Sequence, residues 1–158
     1  MSIREKTDYI LEKFLVLIMG ILVVDVLWQV ISRYVLSSPS SFTDELAGFL
    51  LIWVGLFGAA YVAGKNEHLA IDLLIQKSSP ARQRRLMLII NSLVLLFSIF
   101  VMVIGGVWLV YSRFIMEVKS AALQIPLGYV YLVLPISGIL IVYFVIDNTN
   151  SLLKKQES

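Results

Sequence analysis

The stretch LMLIINSLVLLFSIFVMVIGGVWLVY, from Leu86 to Tyr111, runs for 26 residues without an Asp, Glu, Lys or Arg. A helix needs roughly 20 apolar residues to cross the hydrocarbon core of a bilayer. The stretch therefore predicts a membrane-spanning helix, tilted to absorb its excess length. Outward from it lie three more apolar runs. One goes from Phe14 to about Leu36 and is interrupted by Asp25, Gln29 and Arg33. Another goes from Leu46 to Ala63, about 18 residues or roughly 27 Å of helix, just enough to span. The last goes from Ile125 to Ile146. The longest gap, Gly64 to Arg85, leaves no soluble domain over.

The expected architecture is an all-α integral membrane protein. It is one four-helix domain over residues 1–158, with spans near 14–36, 46–63, 86–111 and 125–146 and a short interfacial helix in the loop between the second and third spans.

Composition agrees: 59% of the 158 residues are hydrophobic and 15% charged, with a mean hydropathy of +0.88. Soluble domains stand nearer 45–50% and about 25%. The absence of cysteine removes disulfides, iron–sulfur clusters, zinc–thiolate sites and thiol nucleophiles. A single histidine argues further against a transition-metal centre, which usually takes three or four protein ligands. No metal and no other cofactor is expected. The net charge of +2 carries no nucleic-acid signal. The N-terminal MSIREKTDYILEKF mixes acid and base before a run of spanning length, which reads as a retained first helix and not a cleaved signal.

Local punctuation supports the boundaries. In SSPSSFTDEL, Ser41 or Thr43 offers an N-cap, and Asp44 and Glu45 fall in the first turn, where the helix dipole favours acid. Ser79 and Pro80 open the third helix. Pro126 opens the fourth, and Pro135 inside it predicts a kink, with Gly138 one turn further on. Ten of the 13 Lys and Arg residues lie in the N-terminal segment, the 64–85 loop or the C-terminal tail. By the positive-inside rule, both termini and that loop are cytoplasmic.

GAAYVAGKNEHLAID, Gly58 to Asp72, then reads as the cytoplasmic end of the second span and the start of the loop. His68 and Asp72, four residues apart, suit an i,i+4 contact on a helix at the membrane surface. A catalytic or metal role for His68 would need partners that the chain barely has. Gly55, Gly58, Ala59, Ala60, Ala63 and Gly64 form a small-residue surface with two small-xxx-small pairs. Two readings of it stand open: packing within this chain, or docking to another membrane protein.

Asp25, Gln29 and Arg33 recur at four-residue intervals and define a polar stripe in the first span. Such groups are retained at membrane depth where they meet protein or water. Polar glue between helices is favoured over a proton or ion relay, because the second and third spans add little polar beyond Asn91, Ser92 and Ser98. Tyr34, Trp108, Tyr111, Tyr129 and Tyr131 mark the outer interface. Trp53, nearer mid-span, is expected to pack on protein. Leu36–Phe42 and Arg113–Gln124 are the segments able to meet a periplasmic partner.

Several motifs coincide in order along nearly the whole chain: QVISRY (Gln29 to Tyr34), the acidic pair Asp44-Glu45, WVGLFGAA (Trp53 to Ala60), EHLAID (Glu67 to Asp72) and AALQIPLGYVYLVLPISG (Ala121 to Gly138). Together they resemble the small membrane subunit of the tripartite ATP-independent periplasmic (TRAP) transporters. Phe42 stands where that family often has a tryptophan, which keeps an aromatic there. The resemblance implies a non-enzymatic protein of the bacterial inner membrane, in contact with membrane lipids, that pairs with a large elevator-type permease subunit holding the substrate and sodium sites. It also implies a periplasmic substrate-binding protein, met through the outer loops, that delivers an organic acid of the C4-dicarboxylate or sialic-acid type. Overall likeness points toward the sialic-acid type. The small subunit would be a scaffold, consistent with small-residue faces, one polar stripe and no convincing site. The alternative is a self-sufficient homo-oligomeric transporter or channel using Asp25. A membrane enzyme finds no support, since no nucleophile-elbow motif is present.

Overall fold

The computed structural model describes residues 3–65 and 80–154. Among them, four helices are long and apolar enough to cross a membrane: Arg4–Tyr34, Ser41–Lys65, Arg85–Ile115 and Leu127–Ser151. The all-helical membrane class read from the sequence is the class observed. The elements are α1 (Ile3–Tyr34), α2 (Ser41–Lys65), α3 (Pro80–Phe97), a π-helical segment (Ser98–Gly105), α4 (Gly106–Ile115), α5 (Leu127–Tyr131) and α6 (Val133–Lys154). The described residues contain one isolated bridge, Lys119 to Pro126, and no strand. The expected interfacial helix, with His68 and Asp72, lies outside the described residues, as does the proposed cap Ser79.

Helix ends follow local chemistry. α1 continues N-terminally well beyond Phe14 because Glu, Lys and Leu in that stretch are good helix formers. Glu5 stands in its first turn and Arg33 in its last, each at the favourable pole of the helix dipole. The cap of α2 is Ser40, upstream of both expected candidates, Ser41 and Thr43, each of which lies within the helix. The Thr43 amide donates to Ser40 Oγ at 3.4 Å, and the Thr43 hydroxyl donates to the Ser40 carbonyl at 3.0 Å. Ser41 is already helical, so its side chain cannot serve as the cap.

The fourth span breaks where Pro135 requires it. Proline has no N–H to donate and its ring collides with the carbonyl four residues back. That residue is Tyr131, the last of α5; Leu132 separates it from α6. In the third span, the wide turns of Ser98–Gly105 end at Gly106, whose amide donates to both the Met102 and Val103 carbonyls. Pro126 precedes α5 in an extended conformation.

The chain forms two compact units. One contains Met1–Gly58 and Trp108–Val133, the other Ala59–Val107 and Leu134–Ser158. In the first, α1 buries Leu11, Ile18, Asp25 and Ser32, one residue every seven. That spacing keeps a single seam of the helix turned inward. An aromatic cluster binds α1 to α2: the Phe14 ring lies 5.4 Å from Phe57 and 6.4 Å from Trp53. The Trp53 indole N–H donates to the Val130 carbonyl at 2.9 Å, in the turn next to the break, so Trp53 packs on protein as expected. Gly128 lies so close to Phe114 that a Cβ would come within 2.6 Å of its ring.

In the second unit, contact is closest where side chains are smallest. A Cβ on Gly106 would approach Pro135 Cδ to 2.9 Å, and one on Gly138 would approach Met102 Cβ to 2.8 Å. A Cβ on Gly64 would come to 3.1 Å from the ring of the buried Phe144. Polar groups add direction. Asn148 donates to the Ala63 carbonyl at 3.0 Å, and Asn91 donates to the Thr149 hydroxyl at 3.0 Å. Hydrogen bonds between membrane helices contribute about 0.6–2 kcal/mol each.

The glycines thus divide into two groups with opposite expectations. Gly138→Ala should destabilise the purified protein by about 1–3 kcal/mol, because the methyl overpacks a closed contact. Gly55→Ala, whose Cβ would meet nothing within 4 Å, should leave the melting temperature unchanged or raise it. Thermal unfolding in detergent, followed by circular dichroism, compares the two directly. Equal effects would contradict the packing described.

Candidate functional site

The polar side chains of the first unit assemble at two places. The first is organised by Glu45. Its Oε1 accepts the amide of Ala121 at 2.9 Å, and its Oε2 accepts the amides of Ala122 and Leu123, each at 2.8 Å. Three successive backbone N–H groups converging on one carboxylate are charge-assisted bonds, stronger than neutral ones. They clamp the 116–126 loop to the N-terminal end of α2, where Asp44 alone of the expected acidic pair falls in the first turn.

The loop completes itself around that clamp. The Ser120 amide donates to the Ile125 carbonyl, the Leu127 amide to the Val118 carbonyl, and the Gln124 side-chain amide to the Ala121 carbonyl. Glu117 and Gln124 adopt left-handed backbone conformations, with φ of 48° and 56°. Non-glycine residues hold such conformations where their surroundings enforce them. The loop is therefore a shaped surface held by one anion.

Beside it, Arg33 Nη2 meets Asp44 Oδ1 at 3.3 Å, with both side chains nearly half exposed. This pair ties the end of α1 to the start of α2. An exposed pair of this kind contributes about 0–1 kcal/mol. It fixes orientation more than it stabilises. Tyr34, Trp108, Tyr111 and Tyr129 are exposed, as are the apolar Val35 and Ile115, and the Arg113 guanidinium lies over the Tyr131 ring at 5.9 Å.

The second place is the interior of α1. The structure parts the expected Asp25–Gln29–Arg33 stripe. Asp25 is buried, Gln29 is half-buried, and Arg33 is exposed and paired outside the seam. The cause is helical geometry: a step of eight residues turns about 80° away from the starting face. Ser32, which sequence reasoning passed over, takes the inward position instead and donates to the Gln29 carbonyl at 2.9 Å. Asp25 Oδ2 is enclosed and has no hydrogen-bond partner.

The small-residue surface of α2 also divides. Ala60, Ala63 and Gly64 are buried, Gly58 is half-buried, and Gly55 and Ala59 are exposed along with Gly48. Part of the small-residue surface is thus covered within this chain and part of it is exposed.

Among the described residues, no group of three or more His, Asp or Glu side chains could hold a metal ion. The arrangement is suited to binding and presenting surfaces. The long-range partnership of Glu45 with Ala121–Leu123 and the donor role of Trp53 carried no local sequence signal beyond the residues themselves.

Residues 22–155 match the family model described as tripartite ATP-independent periplasmic transporters, DctQ component. Among curated proteins, the chain is 24% identical over 152 residues to the sialic acid TRAP transporter small permease protein SiaQ of Vibrio cholerae, covering 96% of this chain and 86% of that protein. It is 31% identical over 112 residues to the C4-dicarboxylate TRAP transporter small permease protein DctQ of the same species, covering 70% of this chain and 47% of that one. A 57-residue stretch is 40% identical to part of the sialic acid TRAP transporter permease protein SiaT of Haemophilus influenzae, covering 36% of this chain and 9% of SiaT.

The clamp makes a local prediction. Glu45→Ala should speed hydrogen exchange at the amides of Ala121, Ala122 and Leu123, read by mass spectrometry on the purified protein. Arg33→Ala should leave those amides protected and lower stability by less than about 1 kcal/mol. Unchanged exchange in Glu45→Ala would show that the loop holds its shape without the carboxylate.

Proposed function

The chain belongs to the DctQ component family of the tripartite ATP-independent periplasmic transporters, and from that premise we propose that it is a scaffold that binds and stabilises a large permease subunit. As a member of that family it is a multi-pass protein of the inner membrane and a transport component, not an enzyme. The observation that carries the scaffold reading is the outward face of α2, where Gly48, Gly55 and Ala59 are exposed and neither glycine has an atom within 4 Å of a Cβ position. Small residues on an uncovered membrane helix let another backbone approach closely. The SiaT stretch supports the same reading, since sequence of this kind also occurs within a much longer permease protein.

On this proposal residues 1–158 work as one membrane unit, with both termini and the 64–85 segment cytoplasmic. The 35–40 and 116–126 loops then face the periplasm. The shape enforced by Glu45 gives a substrate-binding protein a fixed surface to dock on. The cargo is an organic acid, of the sialic-acid type before the C4-dicarboxylate type, and its site and coupled sodium ions belong to the large subunit. Asp25, Gln29, Arg33, Asp44, Glu45, Trp53, Gly55, Gly58, Ala59, Pro126 and Pro135 act structurally or at the partner interface.

A strain lacking this chain should lose accumulation of radiolabelled N-acetylneuraminate to near background and recover it on complementation. Liposomes holding the purified chain alone should pass neither N-acetylneuraminate nor succinate. Flux through the chain alone would favour a homo-oligomeric transporter built around Asp25 and overturn the scaffold reading. Loss of succinate uptake with N-acetylneuraminate uptake intact would reassign the cargo to the C4-dicarboxylate type.

A further inference from the structure

Asp25 is 8% exposed, and its enclosed Oδ2 lacks any hydrogen-bond donor. The same residue lines an open groove of about 760 Å³ whose walls include Leu17, Gly20, Val24 and Trp28 of α1 and Thr43 and Leu46 of α2. Asp25 is the one ionisable side chain in that lining. Thr43 offers no donor to it, because its hydroxyl already donates to the Ser40 carbonyl. An acceptor enclosed at membrane depth without a partner is costly, since hydrocarbon supplies no water to replace the missing bond.

Resting on the reading of the chain as a small permease subunit, we propose that this groove seats an apolar membrane helix of the large subunit, which presents a hydrogen-bond donor to the edge of the Asp25 carboxyl that lines the groove. Three observations select a helix. The groove follows α1 from Val16 to Trp28, about 18 Å or three turns at 1.5 Å per residue. Gly20 stands in the middle with nothing within 4 Å of its Cβ position, so a second backbone has room to come close. The apolar walls are well exposed, Val16 at 64% and Val24 at 67%, and await cover. A lipid acyl chain would fit such walls but carries no donor for the carboxylate. A proton or ion path would need further ionisable groups, and the lining has none.

The chain has no cysteine, so Val24→Cys creates a unique attachment point for benzophenone-maleimide in membranes that also contain the large subunit. Irradiation should yield an adduct with the combined mass of the two subunits. Gly20→Leu, whose Cβ meets nothing within 4 Å in this chain and whose branch projects into the groove, should lower the large subunit recovered on affinity purification about tenfold while the melting temperature stays unchanged. Asp25→Leu should lower it about three- to tenfold, and Asp25→Asn, which keeps a carbonyl acceptor, by less than about twofold.

If the wild-type pair copurifies but the adduct is with lipid or with a second copy of this chain, the groove proposal falls and the subunit reading stands. Wild-type recovery by Gly20→Leu has the same meaning. If no large permease accompanies the wild-type chain, the subunit reading and this proposal fall together.

Discussion

Burying leucine against leucine gains little when the solvent is itself hydrocarbon, so membrane helices are held by close approach and by hydrogen bonds. The rest of this structure depends on that constraint. Gly106 lets the third span touch Pro135, Gly138 admits Met102, and Gly64 leaves room for the Phe144 ring. Each contact requires the absence of a side chain. The polar bonds stand at comparable points: Asn148 to the Ala63 carbonyl, Asn91 to Thr149, and Trp53 to the Val130 carbonyl next to the proline break. A donor aimed at a carbonyl beside a helix break also meets the demand that backbone groups find partners inside the bilayer.

The same constraint explains what is left uncovered. The apolar windows of α1 and α2 are each 17% buried within the chain, whereas that of the fourth span is 44% buried. The first two helices therefore turn most of their surface outward, and they carry Gly20, Gly48 and Gly55, over which a Cβ would meet open space. A protein that transports alone would be expected to gather its ionisable groups around a shared interior path. Here Glu45 is engaged by backbone amides and Asp44 by Arg33. Polar chemistry has gone into shaping a loop and orienting helix ends, which suits a subunit that other proteins bind.

How much of this was legible in the sequence depends on the range of the interaction. The four spans were legible because a long apolar run, free of charge in all but the first, needs no partner to declare itself. The break before Pro135 was legible for a similar reason, since a missing N–H acts on the residue four back. The cap of α2 was expected at Ser41 or Thr43, one or three residues late, because in SSPSSFT any of several hydroxyls could serve and only backbone geometry chooses Ser40. The Asp25–Gln29–Arg33 spacing looked like one face, but a period of 3.6 residues turns Arg33 out of the seam that Ser32 joins.

Long-range facts were not legible at all. Nothing near Glu45 announces that its carboxylate will receive three amides from residues some 75 positions away, nor does Gly138 differ in sequence from Gly55. The eight-residue π-helical segment, Ser98–Gly105, lies inside an apolar run whose composition is equally compatible with an ordinary α-helix. The motif-level resemblance reached the family where local physics could not, because a family pattern records such distant pairings implicitly. Whether the chain works as a subunit is decided by mild-detergent affinity purification of the tagged chain from native membranes, with mass spectrometry of what accompanies it. The account predicts a large polytopic permease in stoichiometric amount; a chain that purifies alone as a defined oligomer would contradict it.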